Sequence, residues 1–228
     1  MRARTLCYYQ VISVTGKITM YKLYGTARSG SAAIEMALKA CGAKYSVFEA
    51  SSWQKESDID ALRALNPLVQ IPTLVLPDGS VMTESAAIII HLGMEYPDSG
   101  LLSSEALVRA QQLRGLVYIS ANCYAAVGMI DYPERWLPDG SEDQNKLLAK
   151  GALQKLYQQW EIFSDVFYGS QAWRAQSPGG LEMLACVVTR WSRARERLSH
   201  SRASFCSSLV EVEKHPVIRD VIDQHWQA

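Results

Sequence analysis

Three short segments hold the residue types that could do chemistry. The first, Gly25-Thr26-Ala27-Arg28-Ser29-Gly30-Ser31, joins a strand-like stretch to the start of a helix-like one. A helix N-terminus presents unpaired backbone N–H groups and a partial positive charge, so it stabilises an anion. The segment carries hydroxyls and Arg28 but no cysteine, which excludes dithiol exchange by the chain itself here. It could stabilise a thiolate brought by a ligand, a serine hydroxyl donating to the sulfur; plain helix capping by Ser29 or Ser31 explains the same residues. The second segment is Asn66-Pro67-Leu68-Val69-Gln70-Ile71-Pro72-Thr73-Leu74. Proline permits a cis bond at Ile71-Pro72, which would turn the Ile71 N–H and C=O toward an extended peptide. A trans proline opening an edge strand is the alternative. The third is Thr83-Glu84-Ser85-Ala86-Ala87-Ile88. Ser85 in a first helical turn could grip a carboxylate and Glu84 an ammonium, together matching the two charges of an amino acid. A simple cap with an acid suited to the helix dipole reads the same residues.

These segments need a scaffold, and the periodicity supplies one. Strand 21–24 precedes helix 31–41, where Ile34, Ala37, Leu38 and Cys41 share a face and Gly42 closes the C-terminus. Strand 44–49 and helix 58–65 follow, the latter ended by Asn66-Pro67 because a residue before proline resists the α region. Strands 73–76 and 80–83 form a hairpin across Pro77-Asp78-Gly79, and helix 84–95 ends at Tyr96-Pro97. The order is β-α-β-α-β-β-α. Beyond it the periods are helical only: 104–129, 145–168, 181–198 and a last short helix opened by His215-Pro216. A connector rich in proline and aromatics spans 131–141, and Pro178-Gly179-Gly180 is a break. The pattern predicts an α/β domain over 20–97 and an all-α domain over 104–228. Residues 1–19 hold Arg2, Arg4 and Lys17 and no acid; they read as an extension without regular structure, with Met20 a candidate first residue.

A chain of 228 residues has room for two small domains, and 48% hydrophobic with 20% charged residues excludes a disordered protein. Lys+Arg and Asp+Glu balance at 23 each, so no overall field draws nucleic acid or an anionic membrane. No uninterrupted apolar run approaches the roughly 18 residues of a membrane span. The 5 cysteines are scattered without a CxxC, which fits a reducing compartment, and the 4 histidines show no metal spacing. The arginines at 190, 193, 195, 197 and 202 read as a solvated helix face.

Taken in this order and spacing, the three segments resemble the glutathione site of the glutathione transferase superfamily. The resemblance is carried by Lys22-Leu23-Tyr24-Gly25, Leu65-Asn66-Pro67 through Ile71-Pro72-Thr73-Leu74, and Thr83-Glu84-Ser85-Ala86-Ala87-Ile88. Asp131-Tyr132-Pro133-Glu134-Arg135-Trp136 resembles a bacterial branch of these proteins. It implies an N-terminal thioredoxin-like βαβαββα domain followed by an all-helical C-terminal domain. It further implies that Ile71, across a cis Pro72, binds the cysteinyl backbone of glutathione, that Glu84 and Ser85 hold the γ-glutamyl ammonium and carboxylate, and that Gln70 reaches the glycyl carboxylate. Ser29 best matches the serine of Ser-type members; Arg28 falls where some of them place it, Gly30 matches the cysteine of Cys-type members, and Ser31 stands in reserve. Tyr118, Asn122 and Tyr132 would line a second-substrate pocket, with Tyr124, Met129 and Trp136 as further candidates. The usual Ser/Thr-x-x-Asp box of the second domain is Gly179-Gly180-Leu181-Glu182 here. The implied activity is transfer of glutathione, as co-substrate, to a small hydrophobic electrophile by a cytoplasmic homodimer without metal, nucleic-acid or membrane partners. A glutathione-dependent disulfide reductase or peroxidase, or a non-catalytic binding module, is the alternative.

Overall fold

A computed structural model describes residues 20–226; the extension expected over 1–19 lies outside the described residues. The sheet is built on β1 (Tyr21–Gly25), parallel to β2 (Tyr45–Glu49) and antiparallel to β3 (Thr73–Val75), which pairs antiparallel with β4 (Val81–Thr83). The strand order is β2-β1-β3-β4. A parallel β1–β2 pair requires a crossover, supplied by α1 (Ser31–Ala40). Residues 31 to 38 of α1 are all buried, because the helix lies between the sheet and the helical half of the molecule. Short α2 (Ile59–Leu65) leads to β3, and α3 (Ser85–Glu95) follows β4. The resulting β-α-β-α-β-β-α order is the one expected from the periodicity, and it is the thioredoxin-like arrangement that the resemblance implies.

The helical part begins with α4 (Ala106–Tyr118), which runs through a π-helical turn (Ile119–Tyr124) into α5 (Ala125–Asp131). The single helix expected over 104–129 is therefore continuous but carries this bulge. Among the described residues, Ala106–Asp131 reaches a mean hydropathy of 1.3 over an 18-residue window, enough by length and composition to cross a membrane. That corrects the expectation drawn from uninterrupted runs: its two arginines, Arg109 and Arg114, sit in the first half of the helix and leave the rest apolar. The helix packs against α6 (Glu142–Phe167) and α7 (Gly180–Val188). α6 starts earlier than expected because Ser141 and Gln144 form a reciprocal cap: Ser141 Oγ accepts from the Gln144 N–H at 3.3 Å and Gln144 Oε1 from the Ser141 N–H at 2.8 Å.

The helix expected over 181–198 is broken into α7 and α8 (Ala194–Ser201) by Ser192 and Arg193 at φ of 52° and 58°. Thr189 closes α7 by bonding back to the Ala185 carbonyl at 2.7 Å. α9 (Ala203–Val212) has no counterpart in the sequence reading, and α10 (Pro216–Trp226) ends the described chain. Nor is the arginine run simply solvated: Arg190 and Arg195 both pair with Glu213, and Arg195 also caps the Cys186 carbonyl at 2.7 Å. At the start of α7, buried Glu182 accepts the N–H groups of Arg174 at 2.7 Å and Gly179 at 2.8 Å. A Cβ on Gly179 would meet the carbonyl oxygens of Leu101 and Gly100 at 2.7 and 2.8 Å, so only glycine admits this docking of the inter-domain segment. One apolar core runs through both halves, from Leu23, Ile34 and Ile88 to Leu116, Phe163 and Leu184.

Candidate functional site

One rung of the sheet gathers the three segments. Tyr24 pairs with Thr73, and Thr73 with Thr83. The first segment leaves β1 just after Tyr24, Ile71-Pro72 enters β3 just before Thr73, and Glu84-Ser85 leaves β4 just after Thr83. Two inter-strand spacings of about 4.8 Å set them along an edge about 10 Å wide. That is the span of an extended tripeptide at about 3.3–3.6 Å per residue.

The Ile71-Pro72 bond is cis. Asn66 shapes the loop before it: its Nδ2 donates to the Gln70 carbonyl at 3.0 Å and to Thr73 Oγ1 at 3.1 Å, and its Oδ1 accepts the Leu68 N–H at 3.1 Å. These contacts occupy the Gln70 carbonyl and leave its side chain exposed. At α3, Glu84 holds φ at 66°, a conformation that a residue with a Cβ adopts only under constraint. The exposed Glu84 carboxylate thus stands beside the first turn of α3, where Ser85 is buried.

The first segment is tied inward. Ser29 Oγ donates to the Thr26 carbonyl at 2.8 Å, Ser31 Oγ to the same carbonyl at 3.1 Å, and the two hydroxyls lie 2.9 Å apart. Thr26 in turn donates to Glu49 at 2.7 Å, and Glu49 accepts the Ser51 N–H at 3.0 Å. Burial pushes the Glu49 carboxyl up, but these hydrogen bonds outweigh it and hold it below the usual carboxylate range. Arg28 sits at φ 63°. Its peptide groups are gripped by the helical half: the N–H donates to His225 Nδ1 at 3.2 Å, and the carbonyl accepts Trp191 Nε1–H at 3.1 Å.

Gly30 is the N-cap of α1, and Tyr124 stands over it. A Cβ on Gly30 would lie 2.4 Å from the Tyr124 hydroxyl oxygen. The ring is set edge-on against Trp191, centroids 5.1 Å apart. Burial, with the Glu84 carboxylate adding, pushes the Tyr124 phenol up to about 12. The sequence reading placed Tyr124 only among pocket candidates and did not single out Trp191. A lone aromatic on an amphipathic helix carries no spacing signal, and the π turn alters the phase from which its direction would be read.

The expected pocket residues are dispersed. The Tyr118 hydroxyl donates to the Gln159 carbonyl at 3.0 Å, and its ring packs on Phe163 and Phe167. Tyr132 lies beneath the Arg135 guanidinium, 3.9 Å from the ring centroid. Asn122 lines an apolar cavity of about 610 Å³ between α5 and α6, with Met129, Leu148 and Gln159. Burial pushes the Cys41 thiol up to about 11 and the Cys123 thiol higher still, so neither is a ready nucleophile.

Known proteins share this architecture. The family model "Glutathione S-transferase, N-terminal domain" matches residues 31–94. An uncharacterized GST-like protein of Escherichia coli K12, YncG, is 37% identical over 128 residues, 56% of this chain and 62% of that protein. A probable maleylacetoacetate isomerase of Caenorhabditis elegans is 34% identical over 94 residues, 41% of this chain and 42% of that protein. The match thus spans less than two thirds of either relative. Among solved structures, a Sulfitobacter glutathione transferase homologue with bound glutathione superposes with a TM-score of 0.79 at 17% identity, over 90% of this chain and 98% of that one. At that identity the likeness is one of fold.

Proposed function

We propose that the chain is a member of the cytosolic glutathione transferase superfamily, which its N-terminal family match, its relatives and its fold support, and that it binds glutathione along the Tyr24–Thr73–Thr83 rung and activates its thiol at the N-terminus of α1. The rung carries the reading, because it aligns a peptide-like edge at Ile71, an amino-acid grip at Glu84 and Ser85 and an anion-stabilising helix end within the length of a tripeptide. Gln70, exposed beside the loop, reaches toward the glycyl carboxylate. A thiol of pKa about 8.5 is only a few per cent ionised at neutral pH. Lowering that value by about two units takes roughly 2.7 kcal/mol, within the reach of one hydrogen bond to the charged sulfur plus the helix dipole.

In this reading the thiolate attacks a small hydrophobic electrophile. The sulfur–carbon bond forms as the electrophile's leaving group departs or its double bond takes up a proton. The protein works in the cytoplasm, in keeping with its unpaired cysteines among the described residues. It does so as a homodimer, for which exposed Val81, Met94 and Leu107 on the adjoining β4, α3 and α4 offer apolar surface. The likeness to a maleylacetoacetate isomerase favours a second reading. There the thiolate adds to a cis double bond flanked by carbonyls, the adduct rotates, and elimination returns glutathione unchanged.

Calorimetry with glutathione tests binding; no heat of binding at millimolar ligand would defeat both readings. Turnover with a panel of electrophiles and of cis-enediones, followed by loss of free thiol, separates them. Conjugation consumes one glutathione per product, and isomerisation consumes none.

A further inference from the structure

The sulfur end of the site lacks a hydroxyl proton from its own segment. Ser29 and Ser31 have one donor each, and both are directed into the turn, toward the Thr26 carbonyl and each other. Donation to a ligand by either would break that buried arrangement. The Tyr124 hydroxyl, which comes from the helical half and stands over the α1 N-cap at Gly30, makes no hydrogen bond among the described residues.

We propose that Tyr124 is the catalytic hydrogen-bond donor to the glutathione sulfur, reaching it across the domain boundary above Gly30. The proposal rests on the glutathione reading above and names the residue that activates the thiol. Its geometry is held from two sides. Trp191 packs edge-on against the ring and, through its indole N–H, holds the Arg28 carbonyl of the same turn. Gly30 has no side chain, and any Cβ there would take the place of the hydroxyl. The ionisable neighbours act in one direction on the phenol. Glu84 disfavours the phenolate, so at neutral pH the group carries its proton and donates. The α1 terminus then meets the sulfur from below and the phenol from above, and two independent donors replace the water a free thiolate would hold.

The test is the ultraviolet thiolate absorbance of bound glutathione against pH, alongside affinity for S-methylglutathione, which has no thiol. Tyr124→Phe should move the titration midpoint up by roughly one to two pH units, so that the thiolate fraction at pH 7 falls roughly 3- to 25-fold from a wild-type midpoint near 6.5. Its affinity for S-methylglutathione should stay within about twofold. Gly30→Ala, which crowds the hydroxyl aside, should move the midpoint the same way, and should add little in the Tyr124→Phe background. Ser29→Ala should leave it in place. A midpoint unmoved by Tyr124→Phe overturns the proposal while leaving glutathione binding intact. An equal loss of affinity for both ligands overturns it too, because the ring would then serve packing alone. A wild-type protein that binds neither ligand takes down the glutathione reading itself.

Discussion

His225 Nε2 lies 2.7 Å from Glu35 Oε1, both side chains buried, although 190 residues separate them. The other imidazole nitrogen accepts the Arg28 N–H, so Nε2 carries the proton and donates it to the carboxylate. The last helix thereby pins α1 and the turn before it with a single ring. His225→Ala should destabilise the fold by about 2–4 kcal/mol, since it leaves a buried carboxylate and a backbone donor unpartnered. Adding Glu35→Gln should recover part of that loss by removing the buried charge. Urea unfolding of the two singles and the double decides it; strictly additive losses would mean that the two side chains do not act as a pair.

The paired serines should also behave as one unit. Ser29→Ala and Ser31→Ala should each cost about 1 kcal/mol, and the double variant little more than either, because each hydroxyl needs the other to fill the pocket beside Thr26. Thermal unfolding of the three variants reads this directly, and full additivity would argue for two separate bonds.

Ser85→Ala should weaken glutathione binding by roughly 10- to 100-fold, the worth of a hydrogen bond to a carboxylate. The helix N–H groups that remain set the lower end of that range. Calorimetry giving an unchanged dissociation constant would remove Ser85 from the site.

Glu49 makes the turn sensitive to acid. Its folded carboxyl titrates below its unfolded value near the ordinary 4.5. It therefore contributes stability that is complete above that value and is lost as pH falls through the lower folded one. Glu49→Gln should lower the urea midpoint at pH 7 and converge with the wild type once the pH falls below the lowered folded value. A constant gap between the two proteins at every pH would show that the loss is one of packing, not of charge.

The local turns and helix starts of the candidate site are legible in the sequence, because their signals are local. Asn66-Pro67 stops a helix, Ile71-Pro72 opens a strand, and Glu84-Ser85 starts another helix; each is dictated by its neighbours in sequence. Missed features depend on distant contacts. Helix 181–198 reads as continuous because its residues favour one. The break at Ser192 and Arg193 is held by Arg190 and Arg195 reaching to Glu213, more than one helix away. Ser29 looks like a free hydroxyl in the sequence, and only the fold shows it turned toward Thr26. Tyr124 and Trp191 meet Arg28 and Gly30 across the two halves, where periodicity says nothing about which face looks at which.

The π-helical turn at Ile119–Tyr124 makes the aim of one side chain a matter of counting rather than of chemistry. A π bulge holds one residue more than the α-helix around it, and each residue of an α-helix turns the face by about 100°. Deleting a single codon within the bulge would restore an even α-helix and swing Tyr124 away from Gly30 without changing the amino acid itself, whereas most substitutions there would leave its bearing intact. Lineages that gained or lost that codon would carry the same tyrosine with or without its place above the turn. In this fold an insertion of one residue works as a selector dial, so the length of the segment is the character to follow when homologues are compared.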